Sequence, residues 1–95
     1  MNFEWDKEKN EANFSKHKIR FEEAAQIFKG PVLTTVDDRQ DYNEVREISI
    51  GQLRGQIYLV VVHTDRKGAI RLISARRAKL SERRRYDDYY QEITR

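Results

Sequence analysis

Cysteine is absent from this chain, and histidine occurs only at positions 17 and 63. Disulfides and thiolate-bound metals are therefore excluded, and a His-rich metal site lacks ligands. No stretch approaches the roughly 18 apolar residues of a membrane span. The opening "MNFEWDKEKNE" has no apolar run of the kind a signal peptide requires. No repeat or low-complexity tract breaks the 95 residues, a length that suits one domain, 1–95, with one modest core. The expectation is a cytoplasmic protein with no membrane contact, no metal and no cofactor.

Charge is abundant and unevenly placed. Hydrophobic and charged residues are nearly equal, at 38% and 37%, while four Phe, five Tyr and one Trp supply much of the core and argue against disorder. Residues 1–30 carry six basic and six acidic side chains, residues 31–65 three and six, and residues 66–95 ten and four. Most of the positive charge is thus gathered in the last third, where "RLISARRAKLSERRRYDDYY" runs from 71 to 90. A local basic concentration in a nearly neutral chain points to an anionic partner, either nucleic acid or an acidic protein.

Hydrophobic spacing predicts the elements. "NFEW" reads as a short edge strand, and Asp6 caps a mostly polar helix over 7–17 with Trp5, Ala12 and Phe14 as its apolar anchors. In "RFEEAAQIF", Phe21, Ala24, Ala25 and Phe28 fall on one helical face, which Gly30 and Pro31 end. "VLTTV" (32–36) and "EVREISI" (44–50) read as strands, and "GQLRG" (51–55) as a turn. "QIYLVVVHT" (56–64) is a continuous apolar run suited to a central strand covered on both faces. "DRKG" is a hairpin turn into a strand at 69–75. Ser81 can cap a last helix in which Tyr86, Tyr89, Tyr90 and Ile93 form a packing stripe. The predicted fold is α+β: an antiparallel sheet with two N-terminal helices and one C-terminal helix packed on it.

The junction of that last strand and helix is chemically odd. Arg83, Arg84 and Arg85 occupy a first helical turn, where each exposed cation costs about 0.3–1 kcal/mol against the helix dipole. The arrangement is poor for an isolated helix and good for binding an anion. Arg76 and Arg77 end the preceding strand, Arg71 lies within it, and a hairpin brings His63 and Thr64 near. Simpler roles stand beside this one. Arginine runs are often only solvated, tyrosines at helical spacing are usually core, and a histidine in an apolar strand is more often hydrogen-bonded structure than catalyst. His17 at a helix end complements the dipole. A partly buried Arg71 needs a partner, for which Glu47 or Glu44 is available.

The sequence resembles the BrnT toxins of bacterial type II toxin–antitoxin systems. The likeness rests on "FEWDKEKNEANFSKH" (3–17), "FEEA" (21–24), Arg46 in "EVREISIG", "VVVHT" (60–64), "IRLISARRA" (70–78) and "ERRRY" (82–86), in that order and spacing. It implies a RelE-like fold and an RNA-cleaving activity that stops translation. It also implies a BrnA-like antitoxin with a ribbon-helix-helix DNA-binding region, through which alone the complex would reach operator DNA. On that reading Arg71, Arg76 and Arg46 are the expected stabilisers of phosphorane charge, and His63 or His17 transfers protons. Lys16, Arg77, Arg83 and Arg84 hold phosphates, Thr64 orients a neighbour, and Tyr86 donates a proton, stacks or packs. The competing class is a non-catalytic module whose basic surface binds RNA or an acidic protein.

Overall fold

The computed structural model describes residues 1–95. Strand β1 (Asn2–Glu4) leads into helix α1 (Lys7–His17) and a one-turn helix α2 (Phe21–Ala24), which tightens into a 3-10 segment over Ala25–Lys29. Strands β2 (Leu33–Asp37), β3 (Arg46–Leu53), β4 (Ile57–Arg66) and β5 (Ala69–Arg77) follow, and helix α3 (Leu80–Ile93) closes the chain. The five strands lie in the order β1-β5-β4-β3-β2.

The sheet is mixed, which corrects the antiparallel expectation. β2 to β5 pair antiparallel, but β1 runs parallel to β5, with Phe3 opposite Ile70. Hairpins impose antiparallel pairing on the four later strands; β1 leaves through a helix, so no turn dictates its direction. The helices also divide between the two faces of the sheet. Phe21, Ala24 and Ile27 pack with Leu59, Val61, Leu72 and Ala75 on one side. Tyr86 of α3 packs on Ile50 and Val60 on the other. The unbroken apolar run of β4 needs cover on both sides, and only helices on opposite faces provide it.

Several local boundaries move. The second predicted helix is α-helical only to Ala24, because the chain tightens and brings Ile27 down on β3. There a Cβ on Gly51 would lie 3.0 Å from Ile27 Cβ and 3.0 Å from Val32 Cγ1. Gly51 is thus a packing glycine inside β3, and the turn begins later, at Arg54 and Gly55, with φ of 55° and 68°. Lys67 and Gly68 form the second hairpin turn, also with positive φ. The cap of α3 is Lys79 rather than Ser81: the Glu82 carboxylate accepts the Lys79 backbone N–H at 2.7 Å.

Helix α1 is held by polar anchors. Asp6 caps it by accepting the N–H groups of Glu8 and Lys9. Asn10 and Asn13 are its buried residues, while Ala12 is exposed. Asn13 donates to the carbonyls of Ile19 and Ala75 at 2.9 Å each and accepts the Ala75 N–H at 3.0 Å. β1 pairs only with residues 69–71 of β5, so the remaining length of that edge is unpaired by strand, and Asn13 satisfies it there. No helix is long and apolar enough to cross a membrane.

Candidate nucleic-acid interface

Strand register arranges the α3 side of the sheet in rows. Leu33, Ile50, Val60 and Arg76 align across β2, β3, β4 and β5. Thr35, Ile48, Val62 and Ser74 form the next row, and beyond it Asp37 pairs with Arg46 and Thr64 with Arg71. α3 covers the first row through Tyr86. The middle row is left partly open, with Thr35 exposed and Ile48, Val62 and Ser74 half-buried. The result is a trough with an uncharged floor. Arg76 stands on one rim and Arg46 and Arg71 on the other, two rows or roughly 13 Å along the strands.

Each rim arginine is steadied by a carboxylate. Arg76 donates through both terminal nitrogens to Glu82 at 2.8 Å, a planar bidentate pair that holds the Glu82 carboxyl at about 2. The anion drawn to the start of α3 is therefore the chain's own. Arg71 donates to Glu4 of the parallel strand β1 at 2.7 Å, not to Glu47 or Glu44 as the sequence suggested. Arg46 lies over the Tyr42 ring at 3.9 Å, with Glu44 at 3.7 Å. Its Nε–H is buried without a hydrogen-bond acceptor.

The loop between β2 and β3 adds residues that sequence reasoning passed over. Asp37 accepts from Arg39 Nε at 2.7 Å and Nη2 at 2.8 Å, and from the Tyr42 hydroxyl at 3.3 Å. These bonds, the Arg39 fork first among them, hold the Asp37 carboxyl at about 2. Arg39 in turn lies close enough to Arg76 for the two charges to repel. "DDRQDYN" looks like an ordinary polar loop; the signal was a strand-end aspartate two residues before an arginine.

The remaining candidates are scattered. His63 is buried on the opposite side of the sheet, with Nε2 hydrogen-bonded to Ser49 Oγ at 2.7 Å and its ring edge-on to Phe28. Burial lowers its pKa against a smaller opposing effect of Glu47, so it is neutral at pH 7. His17 is half-buried and lines an open groove of about 300 Å³ with Lys9, Lys16, Ile73 and Ser74. Ser74 belongs also to the trough floor, so this groove adjoins the β5 side of the trough. Thr64 is buried and donates to the Val45 carbonyl. Tyr86 is 1% exposed and donates to the Pro31 carbonyl at 2.9 Å.

The basic junction does not form one surface. Arg77 and Arg83 line a separate recess of about 180 Å³ beside Tyr58, with Arg83 stacked 4.9 Å over that ring. Arg84 is exposed on α3. Arg77, one residue on from Arg76, thus belongs to a recess at the strand end and not to the trough, which a linear count of charges cannot register. No three His, Asp or Glu side chains come together in a way that could hold a metal ion.

The profile of the family described as "Ribonuclease toxin, BrnT, of type II toxin-antitoxin system" matches residues 5–82. Among solved structures, the ribonuclease toxin BrnT of Brucella abortus, determined at 1.1 Å, is 27% identical, with a TM-score of 0.63. The alignment covers 83% of this chain and 97% of that one. None of the curated proteins matches. The matched span takes in strands β2 to β5, the loop and every rim arginine, and on that basis the chain belongs to the BrnT family of ribonuclease toxins of type II toxin–antitoxin systems.

Proposed function

We propose that the chain is a metal-independent endoribonuclease that lays an RNA strand along the trough and blocks translation by cutting it. The observation that carries this reading is the uncharged, half-open floor flanked by Arg76 on one rim and Arg46 and Arg71 on the other. The 2′-hydroxyl attacks the adjacent phosphorus while a base takes its proton. The 5′-oxygen then leaves with a proton from an acid, giving a 2′,3′-cyclic phosphate and a 5′-hydroxyl. Fixed guanidinium groups stabilise the charge that builds on the phosphorane, often the largest single contribution. The Arg46 side chain is 24% exposed, and its guanidinium, held over the Tyr42 ring, is suited to that charge.

For proton transfer, the geometry favours His17 over His63. His17 borders the trough beside Lys16, whereas His63 is neutral, enclosed and on the far face. Thr64 and Tyr86, both buried and bonded to backbone carbonyls, belong to the framework. Arg77, Arg83 and Arg84 act as diffuse phosphate contacts outside the trough. A ribbon-helix-helix antitoxin would silence the enzyme by placing acids over the rim arginines, and operator DNA would be bound through that antitoxin alone.

The test is cleavage of end-labelled RNA by the purified chain in EDTA. The expected products carry cyclic phosphate ends. Activity that vanishes in EDTA and returns with Mg²⁺ would reject the mechanism. Tight RNA binding with no cleavage under any condition would instead identify a non-catalytic binding module.

A further inference from the structure

The loop 38–45 is a polar surface segment, yet it is organised around one enclosed carboxylate. Asp37 has a side chain with no exposed surface, at the end of β2 directly opposite Arg46. It takes both donors of the Arg39 fork, the Arg39 backbone N–H at 3.3 Å and the Tyr42 hydroxyl. Arg39 itself is 67% exposed, so its remaining N–H groups face solvent. Tyr42 meanwhile lies face-on to Arg46. One carboxylate thus sets the direction of two side chains, and through Tyr42 of a third, on the same rim of the trough.

An enclosed carboxylate is an unusual investment for a loop with only surface duties. The carboxylate is covered by the side chains that bind it, and these then point outward or toward Arg46. We infer that Arg39 is a further RNA-phosphate contact of the trough and that Asp37 is a positioning residue which orients Arg39 and Tyr42 without touching the substrate. This inference rests on the ribonuclease reading and adds to it a rim residue and the group that aims it.

The experiment measures single-turnover cleavage and equilibrium binding of a labelled RNA by the full chain and by Arg39→Ala, Arg39→Lys, Asp37→Asn and the Arg39→Ala/Asp37→Asn pair. Arg39→Ala, an exposed substitution, is expected to slow cleavage about 10²-fold, as for loss of a preorganised donor. Arg39→Lys should recover little, because an ammonium lacks the fork that Asp37 grips. Asp37→Asn is expected to slow cleavage about 10-fold or more with RNA affinity nearly unchanged. The double variant should be no slower than Arg39→Ala alone, because both changes disable one unit.

Additive losses would show that Asp37 serves only the fold and would overturn the positioning role. Unchanged cleavage by Arg39→Ala, beside an active wild type, would overturn the inference alone. A wild type that binds this RNA but never cuts it would overturn the ribonuclease reading, and the inference with it. Should Asp37→Asn fail to fold, Tyr42→Phe removes only one of the bonds to Asp37. Its cleavage should then fall measurably while its melting temperature holds, and wild-type cleavage by that variant would count against the proposal.

Discussion

Asn13 does more for this fold than any apolar residue of its helix. Its side chain completes three hydrogen bonds to backbone groups at Ile19 and Ala75. Asn13→Ala would strand those groups where water cannot replace the amide, and is expected to cost about 3–5 kcal/mol. Urea unfolding should show the lower midpoint with an unchanged slope. Two other residues contribute to the response to acid. Glu82 has a folded pKa of about 2, below its ordinary 4.5, so its pairing with Arg76 stabilises the fold above pH 4.5 and is lost toward pH 2. Partial exposure of the pair limits that contribution to about 1–2 kcal/mol. His63 is lowered from 6.5, so the unfolded chain takes up its proton first and stability declines as pH falls below 6.5. Thermal melts across pH 3–8 should show both declines. Glu82→Gln should shrink the lower one and leave the part that Asp37, also held at about 2, contributes below its ordinary 3.8, and His63→Gln should remove the upper one only.

At the level of elements, the 3-10 segment and α3 clamp the sheet from opposite sides, each through one close contact. The first depends on Gly51, where a methyl group would meet Ile27 and Val32 at 3.0 Å. Gly51→Ala is expected to destabilise by about 1–3 kcal/mol, since backbone-borne side chains on both sides must give way. The second depends on Tyr86, whose ring meets those of Tyr58, Tyr89 and Tyr90 and whose hydroxyl reaches Pro31. Tyr86→Phe should cost about 1 kcal/mol and Tyr86→Ala about 3–5 kcal/mol. Differential scanning calorimetry of the three variants checks this ranking; a Tyr86→Ala chain as stable as wild type would show that α3 is not fastened there. The remainder of the predicted tyrosine stripe is less committed, with Tyr90 and Ile93 41% and 49% exposed.

The whole molecule decides whether its arginines act as chemistry or as general attraction. A diffuse basic surface treats its cations alike, each Ala substitution weakening RNA binding slightly and lowering the salt slope by about one. A transition-state contact instead reduces turnover by about 10²–10³-fold while ground-state binding changes little. Arg71→Ala and Arg76→Ala are expected to follow the second pattern. Arg85→Ala should follow at most the first, and Arg54→Ala, in the turn after β3, should do nothing. Cleavage rates, salt-dependent binding and melting temperatures of the four variants separate these outcomes. Melting is essential, because removing either rim arginine also releases Glu4 or Glu82. If all four stay folded and cleave like wild type, the trough is not where RNA is cut.

Local chemistry in the sequence was enough to determine the order of elements, the Asp6 cap, the central β4 run, the hairpin at Lys67–Gly68 and the gathering of positive charge after Arg66. Each depends on neighbours a few residues apart, so spacing along the chain carries the signal. The parallel pairing of β1, the helices on opposite faces and the Asn13 clamp on Ala75 span up to 67 residues, and no local pattern encodes them. The candidate site divides in the same way. Arginine-rich composition at residues 71–85 was legible, but strand alternation and register decided which arginines share a face. Those same constraints set Arg46 and Arg71 on one rim, placed His63 behind the sheet and enclosed Asp37 beneath Arg39. A one-residue change of register would exchange the two faces, and only the packed sheet excludes it.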